Sequence, residues 1–246
     1  MNRSLRFALL APLTLMAAAC GGGTEESVDL EGEEIAEIPA PDGQVWSGIA
    51  TETEDGGTLV GNPDAPLKLI EYGSLTCPTC ARFSMEGSEP LMEYVDSGRV
   101  SFELRQFAIH GPVDLMLGLL TKCGPVTSVV PLADQVWQNY DSIMEPVQSR
   151  RAQFESDLQR PMDQRFVAAA QTLGYVDFFA ARGLSADQAR TCLADTAALE
   201  KAAEETSKYS QEYEIPGTPT FVLNGNRVDA NTWTQLEPIL QRAGAR

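Results

Sequence analysis

Strand-forming sequence occurs in two blocks separated by about a hundred residues of helical periodicity, and this interruption constrains the fold more than any other feature of the chain. The first block opens with "TLVGNPDAPLKLIEYGS" from Thr58, which reads as a short strand, a turn rich in Asn, Pro and Asp, and a strand from Leu67 to Tyr72. Pro78 occupies a first helical position, where its missing N–H costs nothing, and a helix runs on through Phe83. Gly87 and Pro90 are expected to interrupt or kink that helix before "LMEYVDSG" carries it to a stop near Gly98. "VSFELRQFAI" from Val100 is a second β-rich run. The block is therefore β-α-β, the ingredients of a parallel strand pair with a crossover helix.

From Pro112 to about Glu214 apolar residues recur at helical spacing in "DLMLGLLTKCG", "ADQVWQNYDSIM", "DQRFVAAAQTLG" and "SADQARTCLADTAALEKAAEE", with Ser185 as N-cap of the last. This stretch, 112–214, reads as an all-helical insertion. Strands return in "TPTFVLNG" from Thr218 and "RVDA", joined by a turn at Asn224-Gly225-Asn226, before a closing helix from about Asn231 to Arg242. Asn-Gly between apolar runs is a strong hairpin signal. The expected body, 45–246, is one α/β unit that carries the insertion.

A chain of 246 residues with 43% hydrophobic content buries a full core without help from a cysteine staple. Its net charge of −17, from 35 acids against 18 bases, argues against phosphate backbones and anionic membrane surfaces as partners, so nucleic-acid binding is set aside.

The N-terminus has its own logic. Residues 1–19 carry Arg3 and Arg6 and no acid, then an apolar stretch from Phe7 to Leu15 and the small run Ala17-Ala18-Ala19, which is the layout of a secretory signal peptide. The apolar stretch is too short for a membrane span, and no other segment approaches the length a bilayer requires. "MAAAC" resembles the lipobox of bacterial lipoproteins, with Cys20 as the lipid-modified residue; ordinary cleavage leaving a free thiol is the alternative. Thr24 to Gln44 holds eight acids, no Lys or Arg and no aromatic residue, so 20–44 is expected to be a disordered acidic linker that spaces the body from a membrane.

Of five cysteines, Cys20 set aside leaves four. Cys77 and Cys80 are close enough to pair locally, and Cys123 and Cys192 remain as candidates for a second pair in a compartment where disulfides persist, or as two buried thiols. Cys77 stands at the start of a helix, where unsatisfied N–H groups and the helix dipole favour a thiolate. Cys80, one turn further along, is close enough to attack a mixed disulfide at Cys77 and is shielded by the helix itself. The geometry makes Cys77 the nucleophile and Cys80 the resolver; a purely structural disulfide, cheap to close over four residues, is the other reading of the pair. A metal site would need further ligands near this pair, and the single histidine, His110, reads as a loop residue without special duty.

"GNPDAPLKLIEYGSLTCPTCARF", the long helical insertion and "IPGTPTFVLNG" together resemble the DsbA-like thiol–disulfide oxidoreductases of the thioredoxin superfamily, from about Thr58 to the C-terminus. The resemblance implies a thioredoxin-like α/β fold with a central mixed sheet. It puts the family's attacking cysteine on Cys77, its buried partner on Cys80 and its residue-plus-cis-proline on Thr218-Pro219, with Pro78 and Thr79 between the sulfurs. A cis X–Pro bond there would leave neighbouring backbone groups free to pair with an extended substrate. Glu71 falls on an acid that some members place beneath the site as a proton acceptor; a solvated strand glutamate is the other reading. The resemblance also implies a Cys123–Cys192 scaffold disulfide. Strongly oxidising members carry His where this chain has Thr79, and Thr218 likewise resembles isomerases and reductases, which weakens the inference of a strongly oxidising pair.

The expected function is an exported, lipid-anchored oxidoreductase of the cell envelope or periplasm, acting as a monomer without metal or organic cofactor. It introduces disulfides into reduced cysteine-containing exported proteins and is reoxidised by a membrane redox partner. An isomerase or reductase is the alternative within the class, and a non-catalytic thioredoxin-fold chaperone or binding lipoprotein the alternative outside it.

Overall fold

The computed structural model describes residues 31–212 and 215–246. The signal peptide expected over 1–19 and the lipidation expected at Cys20 lie outside the described residues. The elements are β1 (Ala50–Glu52), β2 (Thr58–Val60), β3 (Leu67–Gly73), α1 (Pro78–Asp96), β4 (Val100–Gln106), α2 (Pro112–Lys122), α3 (Val129–Gln138), α4 (Tyr140–Ser149), α5 (Arg151–Asp157), α6 (Met162–Thr172), α7 (Tyr175–Ala180), α8 (Ala186–Ala194), α9 (Thr196–Glu212), β5 (Thr220–Leu223), β6 (Asn226–Val228) and α10 (Trp233–Arg242).

The strands form one mixed sheet in the order β1-β2-β4-β3-β5-β6. The parallel pair β3–β4, joined through α1, lies at its centre, and β5 returns from the insertion to pair antiparallel with β3. The register sets Tyr72 opposite Thr220, so the residues just before β5 lie beside the end of β3 that feeds α1. That single pairing brings two segments about 140 residues apart in sequence to the same end of the sheet. Asn224 and Gly225 both have positive φ, 49° and 80°, the backbone a two-residue hairpin turn between right-twisted strands requires.

Alternation along the central strands assigns their faces. Leu69, Phe102, Leu104, Phe221 and Leu223 bury toward α1 and α10, where Phe83 meets Phe221 with ring centroids 4.6 Å apart. Tyr72 and Val222 face the other way, with Phe107 and Tyr209. There the Arg105 guanidinium lies 5.6 Å from the centroids of Tyr72 and Tyr209 and is bonded to Glu103 and Asp55, tying α9 to the sheet.

α1 is continuous through Gly87 and Pro90, where an interruption was expected. A glycine costs a helix interior roughly 1 kcal/mol and a proline roughly 3, whereas Phe83, Leu91 and Val95, all buried, each contribute on that order by leaving water. The insertion spans α2 to α9. Its last helical run is divided: Asp195 is extended (ψ 95°) and its carboxylate accepts from the N–H groups of Ala197 and Ala198, starting α9 afresh. Ser185 caps α8 in a capping box with Gln188. Cys123 and Cys192 form a disulfide between the end of α2 and α8, with Cα atoms 6.0 Å apart.

The acidic segment departs from expectation. Residues 20–30 of the expected linker lie outside the described residues; from 32 to 40 the chain lies along the body rather than free: Gly32 N–H donates to Arg242 O (2.8 Å), Ile35 N–H to Gly244 O (2.9 Å) and Ile38 N–H to Ser97 O (2.9 Å). Trp46 Nε1 donates to Ile38 O and Arg99 Nε to Ile35 O. The physical reason is spacing. Gly32, Ile35, Ile38 and Ala40 face the body while Glu31, Glu33, Glu34 and Glu37 remain in water, so the charges that suggested disorder need not be buried. Among the described residues no helix is long and apolar enough to cross a membrane.

Candidate active site

Cys77 is the N-cap of α1, with extended φ/ψ of −88° and 122°, and Pro78 follows at N1. An N-cap residue precedes the first turn's unbonded N–H groups, so its sulfur faces donors that the helix leaves free. Cys77 is 6% exposed and Cys80, one turn on, is fully buried; both are free thiols in this structure. The Thr218–Pro219 peptide is cis, and the Cys77 Sγ–H donates to Thr218 O at 3.1 Å. Pro78 is exposed, Thr79 half-buried and Pro219 buried.

The two sulfurs ionise in opposite senses. A hydrogen bond from Cys80 acts most strongly on Cys77; burial opposes it, and Thr218 and the backbone N–H groups of Cys80 and Thr79 act with it, lowering its pKa from 9.0 to about 5. Burial pushes the Cys80 thiol well above its usual value, reinforced by its bond to Cys77 and the neighbouring Glu71. The Thr218 hydroxyl is buried without a partner while Cys77 is a thiol. A thiolate gives that hydroxyl an acceptor.

Glu71 lies on the face of β3 toward α1 and is 1% exposed, with Oε1 unpartnered. Burial drives its carboxyl well above the ordinary range, with the Asp134 and Cys77 charges adding to the effect. Asp134 itself, on α3, accepts from the hydroxyls of Ser84 and Ser88 on α1 at 2.9 and 2.7 Å. Cys77, Cys80, Glu71, Thr79, Thr218 and Pro219 thus come together at one end of the sheet, while Cys123 and Cys192 form their disulfide away from it, within the insertion.

Sequence reasoning missed the groups that hold the turn between β3 and α1. Asp114, in the first turn of α2, is buried and accepts from Thr76 N–H (3.1 Å), His110 N–H (2.9 Å) and the Ser74 hydroxyl (3.0 Å). His110 Nδ1 lies 2.6 Å from Thr76 Oγ1, Trp137 Nε1 donates to Ser74 O at 2.9 Å, and the Tyr140 hydroxyl donates to Thr76 O at 3.2 Å. In sequence Asp114 reads only as an acid at a helix start. A shallow cleft lined by Pro78, Arg82, Met85, Trp137 and Tyr140 opens beside the cysteines, and a separate cavity of about 300 Å³ lies behind Asp114, between α2 and α9.

A strand leading to an N-capping cysteine, a buried partner one turn on, and a cis-proline segment across from them define a thiol–disulfide oxidoreductase of thioredoxin architecture. The family described as Thioredoxin matches residues 53–242, and the chain belongs to it; it is a protein-disulfide oxidoreductase. A relative from Rickettsia bellii (strain RML369-C), named as a protein-disulfide oxidoreductase, is 22% identical over 79% of this chain, which spans 67% of that relative's length. Among solved structures, a protein-disulfide isomerase from Novosphingobium aromaticivorans is 30% identical, with TM-score 0.69 over 75% of this chain and 96% of that one. The α-DsbA1 of Wolbachia pipientis shares the fold at 20% identity and TM-score 0.60, over 76% of this chain and 90% of its own.

Proposed function

We propose that the protein oxidises pairs of cysteines in exported proteins, using Cys77–Cys80 as the disulfide that is consumed. The observation that carries this is the unequal ionisation of the pair: a stabilised Cys77 thiolate favours the dithiol state and so makes the disulfide a better electron acceptor. A substrate thiolate attacks Cys77 Sγ, the Cys77–Cys80 bond breaks, and Cys80 leaves and takes up a proton, for which the Glu71 carboxyl is the near source. A second substrate thiolate then attacks the substrate sulfur of the mixed disulfide and expels Cys77 as the thiolate. The substrate is oxidised by two electrons, and a membrane redox partner restores the Cys77–Cys80 disulfide.

The Thr218 segment and the cleft beside α1 support docking of an extended cysteine-containing chain over Cys77. Export and a lipid on Cys20 belong to the same reading, tested by labelling with a radioactive fatty acid in wild type and Cys20→Ser. Isomerase or reductase action is the second reading, favoured by the name of the Novosphingobium relative and by the uncharged Thr79.

The deciding experiment traps the Cys77–Cys80 redox state in cells and measures the potential of the pair. An oxidised pair with a potential near that of DsbA supports the oxidase; a reduced pair with a potential near that of thioredoxin overturns it.

A further inference from the structure

The turn Ser74–Thr76 that delivers Cys77 to its N-cap position is held by the helical insertion and the segment entering it. The Ser74 carbonyl takes the Trp137 indole N–H, the Thr76 carbonyl takes the Tyr140 hydroxyl, and the Thr76 N–H goes to Asp114. We propose that Asp114 is a positioning residue for the sulfur chemistry, the point through which the insertion fixes the Cys77 backbone and so sets how readily that sulfur ionises. The proposal concerns either direction of electron flow and does not rest on the oxidase reading.

The donor set is specific to a carboxylate. Oδ1 accepts the Thr76 N–H and Oδ2 the His110 N–H, and the Ser74 hydroxyl lies 3.0 Å from both. An asparagine has one acceptor oxygen, so either of its orientations sets an NH₂ against a backbone N–H in a buried site. Asp114 is continuous in sequence with the loop that carries His110, and His110 closes the ring through Thr76 Oγ1. Holding Thr76 holds the peptide entering Cys77. The Thr79 and Cys80 N–H groups that favour the thiolate act only while Sγ stays over the first turn of α1.

Charge and position act with opposite signs here, which makes the proposal decidable. As a nearby anion, Asp114 disfavours a second anion at Cys77; as a clamp it favours the thiolate by keeping the donors aligned. The titratable groups around it are His110, Tyr140 and Tyr175, and those around Cys77 are Cys80, Glu71 and Tyr140.

The test is the ultraviolet thiolate titration of the reduced full chain, its equilibrium with glutathione and its melting temperature, in wild type, Asp114→Asn and Tyr140→Phe. Asp114→Asn is expected to raise the proton affinity of Cys77 about tenfold and to move the glutathione equilibrium toward the protein disulfide. Tyr140→Phe, which keeps the ring and loses only the bond to Thr76 O, is expected to shift both the same way by about threefold. A lower melting temperature with an unmoved titration in Asp114→Asn would make the residue merely structural and overturn the proposal, as would a shift to lower proton affinity. If Asp114→Asn does not fold, Tyr140→Phe decides alone, and an unchanged titration there overturns it.

Discussion

The sulfur of Cys77 lies 3.1 Å from the carbonyl oxygen of Thr218, a residue 141 positions away. The contact follows from strand register. β5 pairs Thr220 with Tyr72, and Tyr72 is five residues before Cys77, so the chain entering β5 can only pass the start of α1. What the sulfur does next is governed by its ionisation, which is the first quantity to measure.

Alkylation of reduced protein at Cys77 should remain fast well below neutrality and reach half its plateau near pH 5, the value to which its pKa is lowered. The thiolate stabilises the reduced form; that contribution is complete above the ordinary thiol value of 9.0 and is lost as pH falls through about 5. Correspondingly, the potential should change by about 30 mV per pH unit above that point and about 59 mV below it, since reduction takes up one proton and then two. A single slope across pH 4 to 8 would contradict the assignment.

Glu71→Leu removes a buried carboxyl with an unpartnered oxygen, so at neutral pH the variant should be more stable by about 1–3 kcal/mol. The sign can be checked by pH. A carboxyl whose folded pKa is raised contributes stability that is present below its unfolded value of 4.5 and lost as pH rises, so the variant's advantage should be larger at pH 8 than at pH 4 in urea titrations. Turnover should fall roughly tenfold or more if this carboxyl supplies the proton to Cys80.

Replacing Cys123 and Cys192 by Ala opens a crosslink between residues 69 apart and should cost up to about 4 kcal/mol in the chain-entropy view. The thiolate titration of Cys77 should keep its midpoint. A melting curve and a titration on the same sample separate scaffold from chemistry.

Gly98 has φ of +72° and a Cβ there would fall on the Ile38 carbonyl. Gly98→Ala should therefore lower stability by roughly 1–3 kcal/mol and detach the acidic segment, read as new protease cleavage within 31–44.

Element types were legible in the sequence wherever local rules decide them. Pro78 after Cys77, Ser185 before a helical run, and Asn224-Gly225 each signal a helix start or a turn through their own backbone chemistry, and the structure has those features at those positions. Packing decided the rest. Pro90 is carried inside α1 by the buried side chains around it, and the acids of 31–44 concealed a weak apolar face that the C-terminal residues, Trp46, Ser97 and Arg99 hold in place. At the site, the cysteines and Thr218-Pro219 announced themselves by type and spacing. Asp114, Trp137 and Tyr140 did not, because each acts on the Ser74–Thr76 turn from a different helix, a relation that exists only after folding.

The ordered run from Gly32 to Ile38 also fixes where the N-terminal side of the chain meets the body. It leaves the body beside Ser97 and Arg242, at the far end of a 19-residue helix from Cys77, a separation of about 28 Å along the axis. Whatever precedes residue 31 therefore joins the body at the end of α1 opposite the sulfurs, so the face that presents Cys77 is left open to a docking chain.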